Sequence, residues 1–226
     1  MKRPLLLALA ITVTGLLLSL LPTLWHLFTA VPGAGLPPAQ GAPWQVALPA
    51  PGQSQVLGLR LPGSTLGEAR TRWGEDIVVA VLADAGGALS LEAYVERLDA
   101  GGVQGRLLLS FEPAAGGLQA WRETLPREPT PSGGWRHKLN DQALQALAPA
   151  ALVGLGFIPA AQLDAAVLSA RFGEPAARVP AGDHQQHWLY PAQGLAIVLD
   201  DQGRELLQYV APADFQRRLA APLGAR

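Results

Sequence analysis

The stretch RFGEPAARVPAGDHQQHWLYPAQGLAIVLDDQGRELLQYV, Arg171–Val210, decides the reading of the fold. A helix is expected to end in Phe172-Gly173-Glu174-Pro175, because proline denies the next turn its amide and restricts the residue before it. Three short apolar runs follow: His187–Tyr190, Leu195–Leu199 and Glu205–Val210. Pro191–Gly194 and Asp200–Gly203 separate them as turns. Short runs divided by Gly, Asp and Pro predict antiparallel strands joined by tight connections. Upstream, LGFIPAAQLDAAVLSA puts Leu163, Ala166, Val167 and Ala170 on one helical face.

The same order occurs earlier. Thr65 and Glu68 form a T-x-x-E capping box, and Leu66, Ala69 and Trp73 share a face before Gly74 stops the helix. Strand-like runs Ile77–Ala83, Leu89–Arg97 and Val103–Glu112 come next, parted by Asp84-Ala85-Gly86-Gly87 and Asp99-Ala100-Gly101-Gly102. Leu57-Gly58-Leu59 matches Leu155-Gly156-Phe157, and Trp73-Gly74-Glu75 matches Phe172-Gly173-Glu174. A duplicated unit is the expected cause. The fold class expected is therefore α+β: an N-terminal transmembrane helix, then two tandem units, each a helix plus a three-stranded antiparallel sheet. The expected divisions are an anchor over 1–31, a Pro/Gly-rich tether over 32–56 and a first unit over 57–125. A loop and connecting helix over 126–154, a second unit over 155–212 and a tail over 213–226 complete the chain. Asn140 is the expected N-cap of the connecting helix.

The matching residues Gly173, Pro175, Trp188, Tyr190, Gly194-Leu195, Val198, Asp200 and Gly203 resemble a known module. It is that of the small lipoprotein of the outer-membrane β-barrel assembly machine (the SmpA/OmlA type) and of repeats with the β-lactamase-inhibitor-protein fold. In those modules a helix ends at a G-x-P turn, then come a W-x-Y strand, a g-l-x-v strand with D-x-x-G, and a last strand. The resemblance covers roughly Leu155 to Val210, with a weaker echo from Leu57 to Glu112. It implies an exported, non-catalytic module that binds protein partners or helps envelope assembly, with Trp73, Gly74, Phe172, Gly173, Pro175, Trp188, Tyr190 and Gly203 as structural signposts. The family's lipid-bearing cysteine has no counterpart, since the chain contains no cysteine.

Composition narrows the chemistry. The 226 residues carry a formal net charge of -1, which offers no long-range attraction for nucleic acid. Without cysteine there are no disulfides, thiol nucleophiles or thiolate metal sites. Lys2 and Arg3 precede an apolar run from Leu5 to about Phe28, longer than the ~20 residues a helix needs to span a bilayer. No Ala-x-Ala site follows, which favours an uncleaved signal-anchor over a cleaved signal. The expectation is a single-pass protein of the inner (cytoplasmic) membrane, held through residues 4–28, with its body in the periplasm or outside. The expected partner is an envelope protein, with no nucleic acid and no cofactor.

Trp135-Arg136-His137-Lys138 joins an aromatic anchor to positive charge after a Pro/Gly loop, the composition of an interface hot spot. The competing chemical reading is a hydrolase or metal-dependent enzyme using His184, His187 and nearby carboxylates. Zinc demands three or four ligands, which H-x-x-H with Asp183 alone does not supply. No catalytic or metal residue is therefore assigned. Adjacent carboxylates at Glu75-Asp76 and Asp200-Asp201 point to opposite faces if extended.

Overall fold

A computed structural model describes residues 41–225. Their main element is one ten-stranded, wholly antiparallel sheet. A small hairpin precedes it, β1 (Ser54–Val56) with β2 (Leu59–Leu61), turning at Leu57 and Gly58, both at positive φ. Helix α1 (Leu66–Trp73) follows, then β3 (Ile77–Ala83), β4 (Leu89–Ala100) and β5 (Val103–Glu112). One turn of helix, α2 (Gln119–Arg122), leads to the hairpin β6 (Arg127–Pro129) and β7 (Trp135–Lys138). Helix α3 (Asp141–Leu147) leads to β8 (Ala151–Pro159) and α4 (Ala165–Phe172). The chain closes with β9 (Ala177–Pro180), β10 (Gln185–Tyr190), β11 (Leu195–Asp200) and β12 (Leu206–Tyr209), then short helical turns over 212–223. Across the sheet the order is β6-β7-β3-β4-β5-β8-β12-β11-β10-β9.

This architecture corrects the expected fold class. Two tandem α+β units were expected; a single ten-stranded sheet with four helices of at most eight residues is found. The cause is β8. One edge pairs with β5, Leu107 opposite Phe157, and the other with β12, Leu207 opposite Phe157. That strand welds the meander β3–β5 to the meander β9–β12, so neither has a free edge at the seam. The outer edges, β6 and β9, each end in proline and carry charge, which discourages further strand addition.

Among the described residues no helix is long and apolar enough to cross a membrane. The expected anchor over 1–31, with its contact through residues 4–28, lies outside the described residues. The assignment as a single-pass, helix-spanning inner-membrane protein is corrected on that finding. The tether is corrected in part, because its described portion is docked: Trp44 and Val46 pack on the core and the Tyr209 hydroxyl donates to the Pro43 carbonyl at 2.7 Å. The Arg171 guanidinium stacks over Trp44, 4.7 Å from the ring centre. Complete burial raises the Tyr209 phenol well above its ordinary pKa, so it is a constant donor.

Local sequence explains the helix starts. Thr65 accepts from the Glu68 amide while the Glu68 carboxylate accepts from the Thr65 amide, and Asn140 and Asp164 cap α3 and α4. Leu66 and Ala69 of α1, Ala143 and Leu147 of α3, and Leu168 and Phe172 of α4 enter one core with the inward residues of the sheet. Those inward residues alternate along each strand: Leu91, Ala93 and Val95; Leu107, Leu109 and Phe111; Leu155 and Phe157; Leu207 and Tyr209. The helices thus lie on one face of the sheet.

Candidate binding surface

Strand periodicity sends the intervening side chains to the opposite, open face. Over β10, β11 and β12 that face is covered by the chain's own C-terminal segment. Leu189, Ala196 and Val210 form a second apolar cluster with Phe215 and Ala220, flanked by Leu219 and Leu223. The expected tail over 213–226 is therefore a packed element. Its basic side reaches across the sheet, with the Arg218 guanidinium 2.7 Å from the Glu112 carboxylate of β5.

Beyond that cover, over β3, β4, β5 and β8, the open face is less protected and mixed, with Ser90, Glu92, Ser110 and Glu112 sharing it with apolar side chains. Val78 is 42% exposed, and Leu82, Tyr94 and Leu108 are half-buried. A groove of about 330 Å³ runs beside the C-terminal segment. Gly154 and Gly156 form its floor, Leu108 and Leu206 one pair of walls, and Arg218 with Leu219 the rim. The two glycines hold the floor low: a side chain at Gly156 would meet Leu206 and Leu108 at 3.4–3.5 Å.

The β6–β7 hairpin bounds this face at one edge. Trp135 is 39% exposed and carries the Arg127 guanidinium over its ring at 4.4 Å. Arg136 pairs with Glu128 at 2.7 Å, which lowers the carboxyl's pKa and raises that of the guanidinium, mainly through the hydrogen bond. Both are solvent-exposed, so the pair adds little stability. Alternation then divides the expected hot spot. Arg136 and Lys138 project from the open face beside Leu82 and Ala80, whereas Trp135 and His137 turn to the helix side. His137 is 1% exposed, so it belongs to the interior and cannot meet a partner with its neighbours.

The signpost residues are tied together at the other half. Gly74 and Gly173 end α1 and α4 at positive φ, with amides donating to Arg70 and Ser169 carbonyls. The Tyr190 hydroxyl donates to the Gly173 carbonyl at 3.0 Å, and its ring meets Phe172 with centres 6.0 Å apart. Trp188 is buried under Arg178, 4.8 Å from its ring centre, and its indole donates to Gln186. Trp73 packs on the core beside Arg72, Pro175 lies just after α4, and Gly203 sits against the Asp200 carboxylate in the β11–β12 turn.

His184 and His187 are not gathered into a centre. The His184 imidazole lies on an exposed turn, 3.1 Å from Asp201, while His187 is within β10. Asp200 is engaged by Gln185 and by the Gln202 amide, which hold its carboxyl below the usual range. Among the described residues no group of three or more His, Cys, Asp or Glu side chains is placed to hold a metal ion.

His187 carries a pH consequence. Its Nδ1 is buried without a partner, and burial lowers its pKa below 6.5. The unfolded chain therefore binds this proton more readily than the folded one. The stability contribution is complete above the unfolded value of about 6.5 and is lost as pH falls through the lower folded value. Urea midpoints measured from pH 7.5 to 5 should fall, and His187→Gln should flatten the slope over that window.

No family model, curated protein or solved structure matches this chain. The resemblance to the envelope-assembly module rests on the motif residues alone.

Proposed function

We propose that the protein is a non-catalytic binding module that receives a protein partner on the open face of its sheet, over β3, β4 and β5. The observation that supports this is the unequal treatment of one continuous face. Its β10–β12 half is covered by the apolar side of residues 212–223, whereas its other half leaves Val78, Leu82, Tyr94 and Leu108 accessible. A partner there replaces water over apolar surface as the C-terminal segment does over its own half. Arg136 and Lys138 at the margin supply the polar rim that such interfaces use.

A photoreactive amino acid placed at Tyr94 or Val78 should give one discrete protein adduct in intact cells. The same group at Val167, 40% exposed on α4 on the helix side, should give none of that species. Val78→Glu should abolish the Tyr94 adduct without moving the melting temperature. Equal labelling from both faces, or none from the open face, would overturn the reading.

A further inference from the structure

A cavity of about 380 Å³ opens where the far end of β4 and β5 meets β8 and the β11–β12 loop. Its wall is shaped by a β-bulge. Val95 pairs with Leu107 and Leu98 with Gly105, so Glu96 and Arg97 together face Arg106. A bulge inserts a residue and re-aims side chains, here bringing Arg97 to the cavity rim.

The charges around the cavity are unbalanced in a specific way. Glu96 is taken by Arg106 through a direct ion pair, and the Asp99 carboxylate accepts from the Gly102 amide at 2.7 Å in the β4–β5 turn. Arg97 and Arg204 also line the cavity, and among the described residues neither has a carboxylate within ion-pair distance. Ile158 and Ala160 provide its apolar lining, whereas the Leu98 side chain packs on the core, on the side of Gly105 and Phe157. Asp99 keeps its charge, so the five charged groups of the lining leave one net positive charge. Two unpaired guanidiniums beside apolar surface then fit a ligand with an anionic, multi-oxygen group at one end and hydrocarbon at the other. Guanidinium forks match phosphate oxygens in geometry as well as in charge.

We propose that this cavity binds a phosphate monoester on a short apolar stem, with Arg97 and Arg204 holding the phosphate and Ile158 and Ala160 receiving the stem. The site does not rest on the partner-docking reading, since it is argued from its own cavity and its own charges. Arg136, opposite Leu82, lies at the other end of β3, while Val78, opposite Tyr94, borders the strand just before the bulge.

Calorimetric titration of the intact protein with hexyl phosphate is the test, with inorganic phosphate, hexanoate and hexanol as comparison ligands. Hexyl phosphate should bind with a Kd below about 1 mM at low salt and weaken as salt rises. The Arg97→Gln/Arg204→Gln double variant should lose about tenfold or more in affinity, as expected for removing charge-assisted hydrogen bonds. Arg60→Gln, which removes an equally exposed charge on β2, should bind as the parent does. Both cavity arginines are exposed, so the double variant should melt with the parent. The proposal is overturned if hexyl phosphate shows no binding at about 1 mM. It is equally overturned if hexanol or hexanoate binds as tightly, or if the double variant binds unchanged.

Discussion

Phe157→Ala is expected to lower stability by about 3–5 kcal/mol and the melting temperature by about 10 °C or more. Phe157 is fully buried and stands opposite both Leu107 of β5 and Leu207 of β12. Its ring lies so close to Gly105 that a Cβ there would come within 2.4 Å of a ring carbon. Truncation empties a closely fitted volume at the strand that joins the two meanders, where rigid strands on both sides resist collapse into the space. The manner of unfolding is as informative as the size of the loss. If the sheet is one cooperative unit, a single denaturant transition moves as a whole, by fluorescence of Trp188 in one half and of Trp73 in the other. Two separable transitions, only one of them shifted, would show that β8 does not couple the halves.

Gly194→Ala is expected to cost about 2–4 kcal/mol and to loosen the C-terminal segment. Gly194 has φ +67°, a left-handed conformation that costs an L side chain about 1–2 kcal/mol. Space is the larger difficulty, since a Cβ would lie 2.1 Å from the Val210 carbonyl oxygen and 3.0 Å from the Pro212 nitrogen. The Val210 amide also donates to the Gly194 carbonyl at 2.8 Å. Relief of the clash must therefore move the backbone where β12 passes into the segment that covers Leu189 and Ala196. Hydrogen exchange over residues 212–224 should quicken in the variant, while exchange in β4 and β5 stays near the parent's rate. Unchanged protection over 212–224 would mean that the covering segment is not anchored through this turn.

Local features of the body were legible in the chain. The Thr65/Glu68 capping box, the Asn140 N-cap and the stops at Gly74 and Gly173 each depend on side chains and φ angles within one helical turn. The Asp84–Gly87 turn is equally local, with the Asp84 carboxylate accepting from the Ala88 amide at 2.8 Å. The hairpin β6–β7 was hidden because its run is short and rich in charge and proline, and pairing with β3 is what makes Trp135–Lys138 a strand. Residues 213–226 read as a tail because Phe215, Leu219 and Leu223 are too sparse to announce a packed element without the surface they cover.

The candidate surface was less legible than the fold. Trp135 to Lys138 are neighbours in sequence, yet a strand alternates its side chains, so only Arg136 and Lys138 share the open face. The residues that join them there, Val78, Leu82 and Tyr94, come from two other strands, and the register that aligns them is not written in any one segment. The cavity arginines 97, 106 and 204 converge from β4, β5 and the β11–β12 loop in the same way.

The amino-acid sequence by itself determined the caps of α1 and α3, the stops at Gly74 and Gly173, the runs that became β3–β5 and β10–β12, and the turns between them; β6, β7, β8 and β9 were not among the runs it marked. Each of these is decided by backbone sterics and hydrogen bonds within a few residues. Only the tertiary structure decided that the extended segments form one sheet. The backbone of any strand, Ala151–Pro159 included, offers two hydrogen-bonding edges, and nothing local says which chains will occupy them. The open face, its self-covered half and the arginine-lined cavity all follow from that distant pairing.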